Sequence, residues 1–168
     1  MTPLVSIIMG STSDLPVMEK AARQLDELAI PFEILALSAH RTPDEVAEFA
    51  RGAEERGVRV IIAGAGMAAH LCGVIASMTP LPVIGVPIKA TLDGMDALLA
   101  IVQMPPGIPV ATVGINGAQN AALLAAQMLS LGDADLKKRL KAFKEGLKEK
   151  VVRANADLKE VKYSFKTN

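Results

Sequence analysis

Five apolar runs, each five or six residues long, alternate along the chain with stretches whose apolar residues recur at helical spacing. Leu4–Met9, Glu33–Leu37, Val58–Ala63, Pro82–Val86 and Val110–Ile115 read as buried strands. Between the first two, Val17, Ala21, Leu25 and Leu28 share one helical face. Val46, Phe49, Ala50 and Ala53 form a second face that stops at Gly57, and Ala118–Leu131 reads as an Ala-rich helix after the fifth strand. The Pro87–Ile108 connection has a short helical middle, Met95 to Val102, and turn-rich ends, as a loop covering a site would. From Ala134 to Val161, Leu136, Leu140, Phe143, Leu147, Val151, Ala154, Leu158 and Val161 recur at steps of three and four. They predict one long amphipathic helix with a break near Gly146. Strand–helix alternation of this kind predicts an α/β fold: a doubly wound five-stranded parallel sheet with helices on both faces. Residues 1–132 form the α/β unit. Residues 133–168 form a helical extension of about 40 Å, too long for one small sheet and therefore expected to pack on a neighbouring subunit.

Composition narrows the function. The 168 residues are 51% hydrophobic and 21% charged, which fits a packed domain rather than a disordered chain. Aromatic residues make up 3% and Trp is absent, so base-stacking recognition of single-stranded nucleic acid lacks its platforms. A single cysteine excludes internal disulfides and cysteine-rich metal clusters. No export signal or membrane span is apparent, so a cytoplasmic location is expected. The net charge is zero, yet residues 1–132 carry 7 Lys/Arg against 12 Asp/Glu and residues 133–168 carry 11 against 6. The basic tail is read as the solvated face of the last helix rather than as a nucleic-acid site, because apolar residues run through it at helical spacing.

The chemistry concentrates at three turns that this fold places at the carboxyl edge of the sheet, where ligands bind. The richest is Ser38-Ala39-His40-Arg41-Thr42-Pro43-Asp44-Glu45. Thr42 is expected to cap the following helix, with Pro43 at its first position and Glu45 completing a capping box. That sets a proton-transfer group, His40, and an anion-binding group, Arg41, beside a helix N-terminus. Gly10-Ser11-Thr12-Ser13-Asp14 is a small, hydroxyl-rich turn able to cradle a phosphate or ribose, although Asp14 could equally cap its helix. The third turn, Gly64-Ala65-Gly66-Met67-Ala68-Ala69-His70-Leu71, is not the dinucleotide fingerprint: Ala69 stands at the third glycine and no acidic residue follows at the ribose distance. His70 reads either as a second titrating group or as a hydrogen-bonded structural residue. Cys72 reads as a buried filler rather than a nucleophile.

These blocks, with Leu81–Pro87, Ile101–Pro105 and Asn120-Ala121-Ala122, resemble the PurE family of N5-carboxyaminoimidazole ribonucleotide mutases of de novo purine synthesis, over nearly all of residues 4–131. The resemblance implies a flavodoxin-like three-layer fold and a homo-octamer. It also implies a small-molecule ribonucleotide substrate and a reaction without metal or organic cofactor. It implies that a carboxyl group moves from an exocyclic nitrogen to ring carbon C4, with CO2 trapped in transit and His40 as the acid–base catalyst. Ser38 and Arg41 match residues near the 5′-phosphate, Ser11, Ser13 and Asp14 the substrate-binding turn, and Ala65, Gly66, His70 and Leu71 the loop around the base and carboxylate. The chain departs from the family's Gly-Gly-Ala-Ala-His-Leu-Pro-Gly at Met67 and Cys72. Three other readings compete: a carboxylase of the same fold that uses free CO2, a non-catalytic nucleotide- or flavin-binding module, and nucleic-acid binding through the tail.

Overall fold

The computed structural model describes residues 1–168. Five strands, β1 (Val5–Met9), β2 (Phe32–Ala36), β3 (Val60–Gly66), β4 (Val83–Ile88) and β5 (Ala111–Thr112), form one sheet in the order β2-β1-β3-β4-β5. Every pairing is parallel. The chain steps from β1 to β2 on one side and then crosses β1 to β3 on the other, so the strand order reverses between β1 and β3. That reversal leaves a crevice at the strands' carboxyl ends.

Alternation along the strands builds two cores. Val5, Ile7, Met9, Val60, Ile62, Ile84 and Val86 face α1 (Leu15–Glu27) and α5 (Ala118–Leu129). Ile8, Ile61, Ala63, Ala65 and Val83 face α2 (Pro43–Gly52), α3 (Leu71–Ala76) and α4 (Met95–Val102). Because both faces are covered, β1 is buried at every residue, as its unbroken apolar run predicts. Gly64 leaves room for the thioether end of Met18 from α1, which a Cβ there would meet.

Several local expectations change. The second strand is an edge strand, not a buried one, and Ile34 and Leu35 are exposed. The fifth shrinks to two residues. Helix α3 falls where the sequence showed only a turn, since six residues are too few to display a period. Thr42 does not close a capping box: its Oγ1 accepts from Ser38 N at 2.9 Å and donates to Ser38 O, which ties the 38–42 turn to itself. Pro43 does begin the helix.

Helix α6 (Ala134–Glu160) is continuous through Gly146. Asp133 caps it by accepting from the backbone N–H groups of Asp135 and Leu136, both at 2.9 Å. Leu136 and Leu140 join the α1/α5 core, and Arg139 Nε donates to Leu28 O at the end of α1. Beyond Gly146 the apolar face, with Leu147, Val151 and Leu158, is exposed within the protomer. No helix is long and apolar enough to cross a membrane.

Candidate active site

The three chemistry-bearing turns meet over the crevice between β1, β2 and β3. They enclose an open cleft of about 450 Å³. Ser11, Ser13, Asp14, Ser38, His40, Arg41, Ala65, Gly66 and Leu71 all line it. His70 stands just behind, with Nδ1 2.9 Å from Nε2 of His40 and the two rings edge to face, centroids 5.0 Å apart. All ten residues singled out in the sequence are thus drawn to one place from segments up to sixty residues apart in the chain.

Local folding explains each placement. After β1 the chain makes a single 3-10 turn, Thr12–Asp14, capped by Ser11, whose Oγ accepts from Ser13 N at 3.3 Å. Asp14 precedes α1 but its side chain does not cap it, so the carboxylate is left facing the cleft. After β2, Ser38 holds Arg41: its Oγ accepts from both the backbone N and Nε of Arg41 at 3.3 Å. Arg41 Nη2 donates to Gly10 O at 2.7 Å and so bridges the first turn to the second. None of the chain's ion pairs involves Arg41. A guanidinium fixed at two points, without a bound carboxylate and lining the cleft, has the chemistry to pair with an anionic group. After β3, Gly66 is wedged beside β4, where a Cβ would meet Ile88 O at 3.2 Å.

The electrostatics separate two groups. Burial raises the Asp14 carboxyl above its usual range, against the Ser11 backbone hydrogen bond and the Arg41 charge, which pull it down. The native state therefore holds this proton more tightly than the unfolded chain, and stability falls as pH rises from the usual carboxylate range through the raised value. Asp14→Asn removes that penalty. Its Tm is expected to exceed the wild-type value at neutral pH, with the two curves converging in acid. A lower Tm at pH 7 would contradict this. Cys72 is fully buried, its Sγ donates to Ala63 O at 3.2 Å, and burial pushes the thiol up to about 12. It is a protonated core residue at neutral pH, as its apolar surroundings in the sequence imply.

No three His, Cys, Asp or Glu side chains converge in a way that could hold a metal ion. The remaining cleft wall is Gly10, Ala39, Met67, Ala68 and Ala90, small apart from Met67. Ala90 is a residue that sequence reasoning missed. Of the whole Pro87–Ile108 connection, expected to cover the site, only Ala90 reaches the cleft. Helix α4 instead packs Ala97 and Ile101 into the core.

A family model described as AIR carboxylase matches residues 4–150. The chain belongs to that family. Among AIR carboxylase relatives, the N5-carboxyaminoimidazole ribonucleotide mutase of Pyrococcus abyssi is 60% identical over 147 residues, covering 87% of this chain and 84% of the other. The phosphoribosylaminoimidazole carboxylase of Candida glabrata is 52% identical over 162 residues, covering 96% of this chain but only 28% of that longer protein. Among solved structures, Treponema denticola PurE superposes with a TM-score of 0.85 at 32% identity, covering 94% of this chain and 99% of the other. The AIR carboxylase fold is thus shared over nearly the whole length.

Proposed function

We propose that this protein is a mutase of purine synthesis that converts N5-carboxyaminoimidazole ribonucleotide into 4-carboxy-5-aminoimidazole ribonucleotide. The observation that carries the reading is a cleft lined by His40, which is hydrogen-bonded to His70 behind it, and by an arginine with no carboxylate partner. Arg41, with the Ser11, Ser13 and Ser38 hydroxyls, receives the 5′-phosphate. Asp14 accepts from the ribose hydroxyls, so Asp14→Asn also weakens substrate binding, by about 10-fold or more for one charged hydrogen bond. That shows as a raised KM.

In the reaction, the bond between the exocyclic nitrogen and the carboxylate breaks, its electron pair stays on nitrogen, and CO2 is released. The nitrogen takes a proton from His40. Ring carbon C4 then attacks the CO2 carbon, and His40 recovers a proton from C4 as the ring regains aromaticity. Protons balance, and the same imidazole serves first as acid and then as base. His70 fits this cycle because one proton lies between His40 Nε2 and His70 Nδ1. His70 accepts from a protonated His40 and, in its other tautomer, donates to the neutral one. Ala39, Ala65, Ala68, Leu71 and Ala90 give CO2 a small apolar holding space.

A second reading, carboxylation of aminoimidazole ribonucleotide with free CO2, has the Candida relative's name behind it. The two are separated by supplying each substrate alone. Product from N5-carboxyaminoimidazole ribonucleotide without added bicarbonate supports the mutase. Efficient product only from aminoimidazole ribonucleotide with bicarbonate supports the carboxylase.

The chain is expected to act as a homo-oligomer, an octamer by its family resemblance, in which the exposed face of α6 lies on a neighbour. Sedimentation as a single protomer at micromolar concentration would remove this part of the reading.

A further inference from the structure

We infer that Asn116 is a positioning residue: it latches the turn after β5 to the segment after β4 and so holds Ala90 in the cleft wall. The inference rests on the mutase reading, in which Ala90 borders the space that keeps CO2, and extends it to a residue outside the cleft.

The β4–β5 ladder is short. It pairs Ile84 with Ala111 and Gly85 with Thr112, and its last bond runs from Val113 N to Gly85 O at 3.1 Å. Three residues further on, Asn116 restores the connection. Its backbone N donates to Pro87 O at 2.8 Å, and its side-chain Oδ1 accepts from Lys89 N at 2.9 Å. One residue therefore holds two backbone groups two positions apart, as a further rung of the ladder would. To reach both it takes φ +58°, a left-handed conformation that Asn tolerates better than most side chains.

The latch has a rigid end. Gly117 N closes a tight turn onto Gly114 O at 2.8 Å, and Gly117 O accepts from Ala121 N at 3.1 Å, in the helix that packs Ala118 and Ala121 into the core. The segment it holds is tied within itself. Gly94 N donates to Thr91 O at 2.8 Å, Lys89 Nζ pairs with Asp93 Oδ1 at 2.9 Å, and Thr91 Oγ1 donates to Asp96. Ile115 packs on the same segment: a Cβ at Gly94 would lie 2.8 Å from Ile115 Cγ2 and 3.2 Å from Lys89 Cα. Lys89 leads directly into Ala90, which lines the cleft beside Gly66, where an added Cβ would lie 3.4 Å from the Ala90 methyl carbon. The position of that methyl group is thus set from the far side of β4.

Chemistry gives the wall its task. Once the N–C bond has broken, CO2 either bonds to C4 or escapes. Escape leaves aminoimidazole ribonucleotide, and His40, having given its proton to nitrogen, regains one from water. A wall that drifts from Gly66 widens the holding space and favours escape.

The test is the partition of products. Wild type, Asn116→Gly, Asn116→Asp and Ala90→Gly are each given N5-carboxyaminoimidazole ribonucleotide. Enzyme-dependent release of aminoimidazole ribonucleotide is compared with formation of the C4-carboxylated product. Gly at 116 accepts the left-handed backbone but lacks the acceptor, whereas Asp carries the same oxygen. Asn116→Gly is expected to raise the released fraction about fivefold, the scale of one neutral hydrogen bond. Its KM should stay within about twofold of wild type, because the groups that bind the phosphate and ribose lie on other turns. Asn116→Asp should partition as wild type does, and Ala90→Gly, which removes the held methyl group, should leak as Asn116→Gly does. Unchanged partition in Asn116→Gly or Ala90→Gly, or equal leakage from Asn116→Asp, with wild type active, overturns the latch and leaves the mutase reading intact. A wild type that forms no C4-carboxylated product overturns both.

Discussion

His40→Asn is expected to leave a folded protein whose turnover falls by about 10³-fold or more, within the range for loss of a general acid–base group. The side chain is exposed and its only hydrogen-bond partner is His70, so the substitution opens no cavity in the core. Its effect on stability should stay within about 0.5 kcal/mol, as for surface positions outside packing or buried networks. Asn can preserve the contact to His70 but cannot exchange a proton near neutral pH. Loss of kcat with unchanged thermal unfolding, measured on the same preparation, is the expected pattern. Near-normal kcat would remove His40 from the mechanism.

Arg41→Met acts on the other half of the site. It removes the charge-assisted contacts to a phosphate, each worth about 1.5–3 kcal/mol, so KM is expected to rise about 100-fold. Because the phosphate lies away from the reacting carbon, the loss falls on ground and transition states alike, and kcat changes much less than KM. The wild-type KM should also rise with ionic strength, and that dependence should flatten in the variant. Methionine keeps most of the aliphatic stem, so the 38–42 turn retains the Thr42 ties to Ser38. A KM unchanged by the substitution would place the phosphate elsewhere.

The sheet was legible because its central strands are apolar on both faces. Leu4–Met9 and Val58–Ala63 carry no polar alternation beyond Ser6 and Arg59, and that is the mark of strands covered on both sides. The same run at β2 misleads in the opposite sense. Ile34 and Leu35 are as apolar as core residues, yet the edge position, which pattern cannot show, leaves them open in the protomer. The exposed half of α6 is equally readable as a helix and equally silent about its cover. At the site, His40 and Arg41 declared themselves by their place between a strand and a helix start. The expected capping box does not form because Thr42 satisfies Ser38 rather than the helix. The His40–His70 contact joins residues thirty positions apart, and Ala90 carries no chemistry to notice, so neither could be reached without the fold.

The most direct test of the account follows the carboxyl carbon itself. N5-carboxyaminoimidazole ribonucleotide labelled with 13C in its carboxylate is turned over in unlabelled bicarbonate, and the C4-carboxylated product is examined by mass spectrometry or 13C NMR. Retention of the label in nearly all of the product is the predicted result, because CO2 passes from nitrogen to carbon without leaving the cleft. Product that carries the isotope ratio of the solution pool would contradict it and would assign the cleft to carboxylation by free CO2.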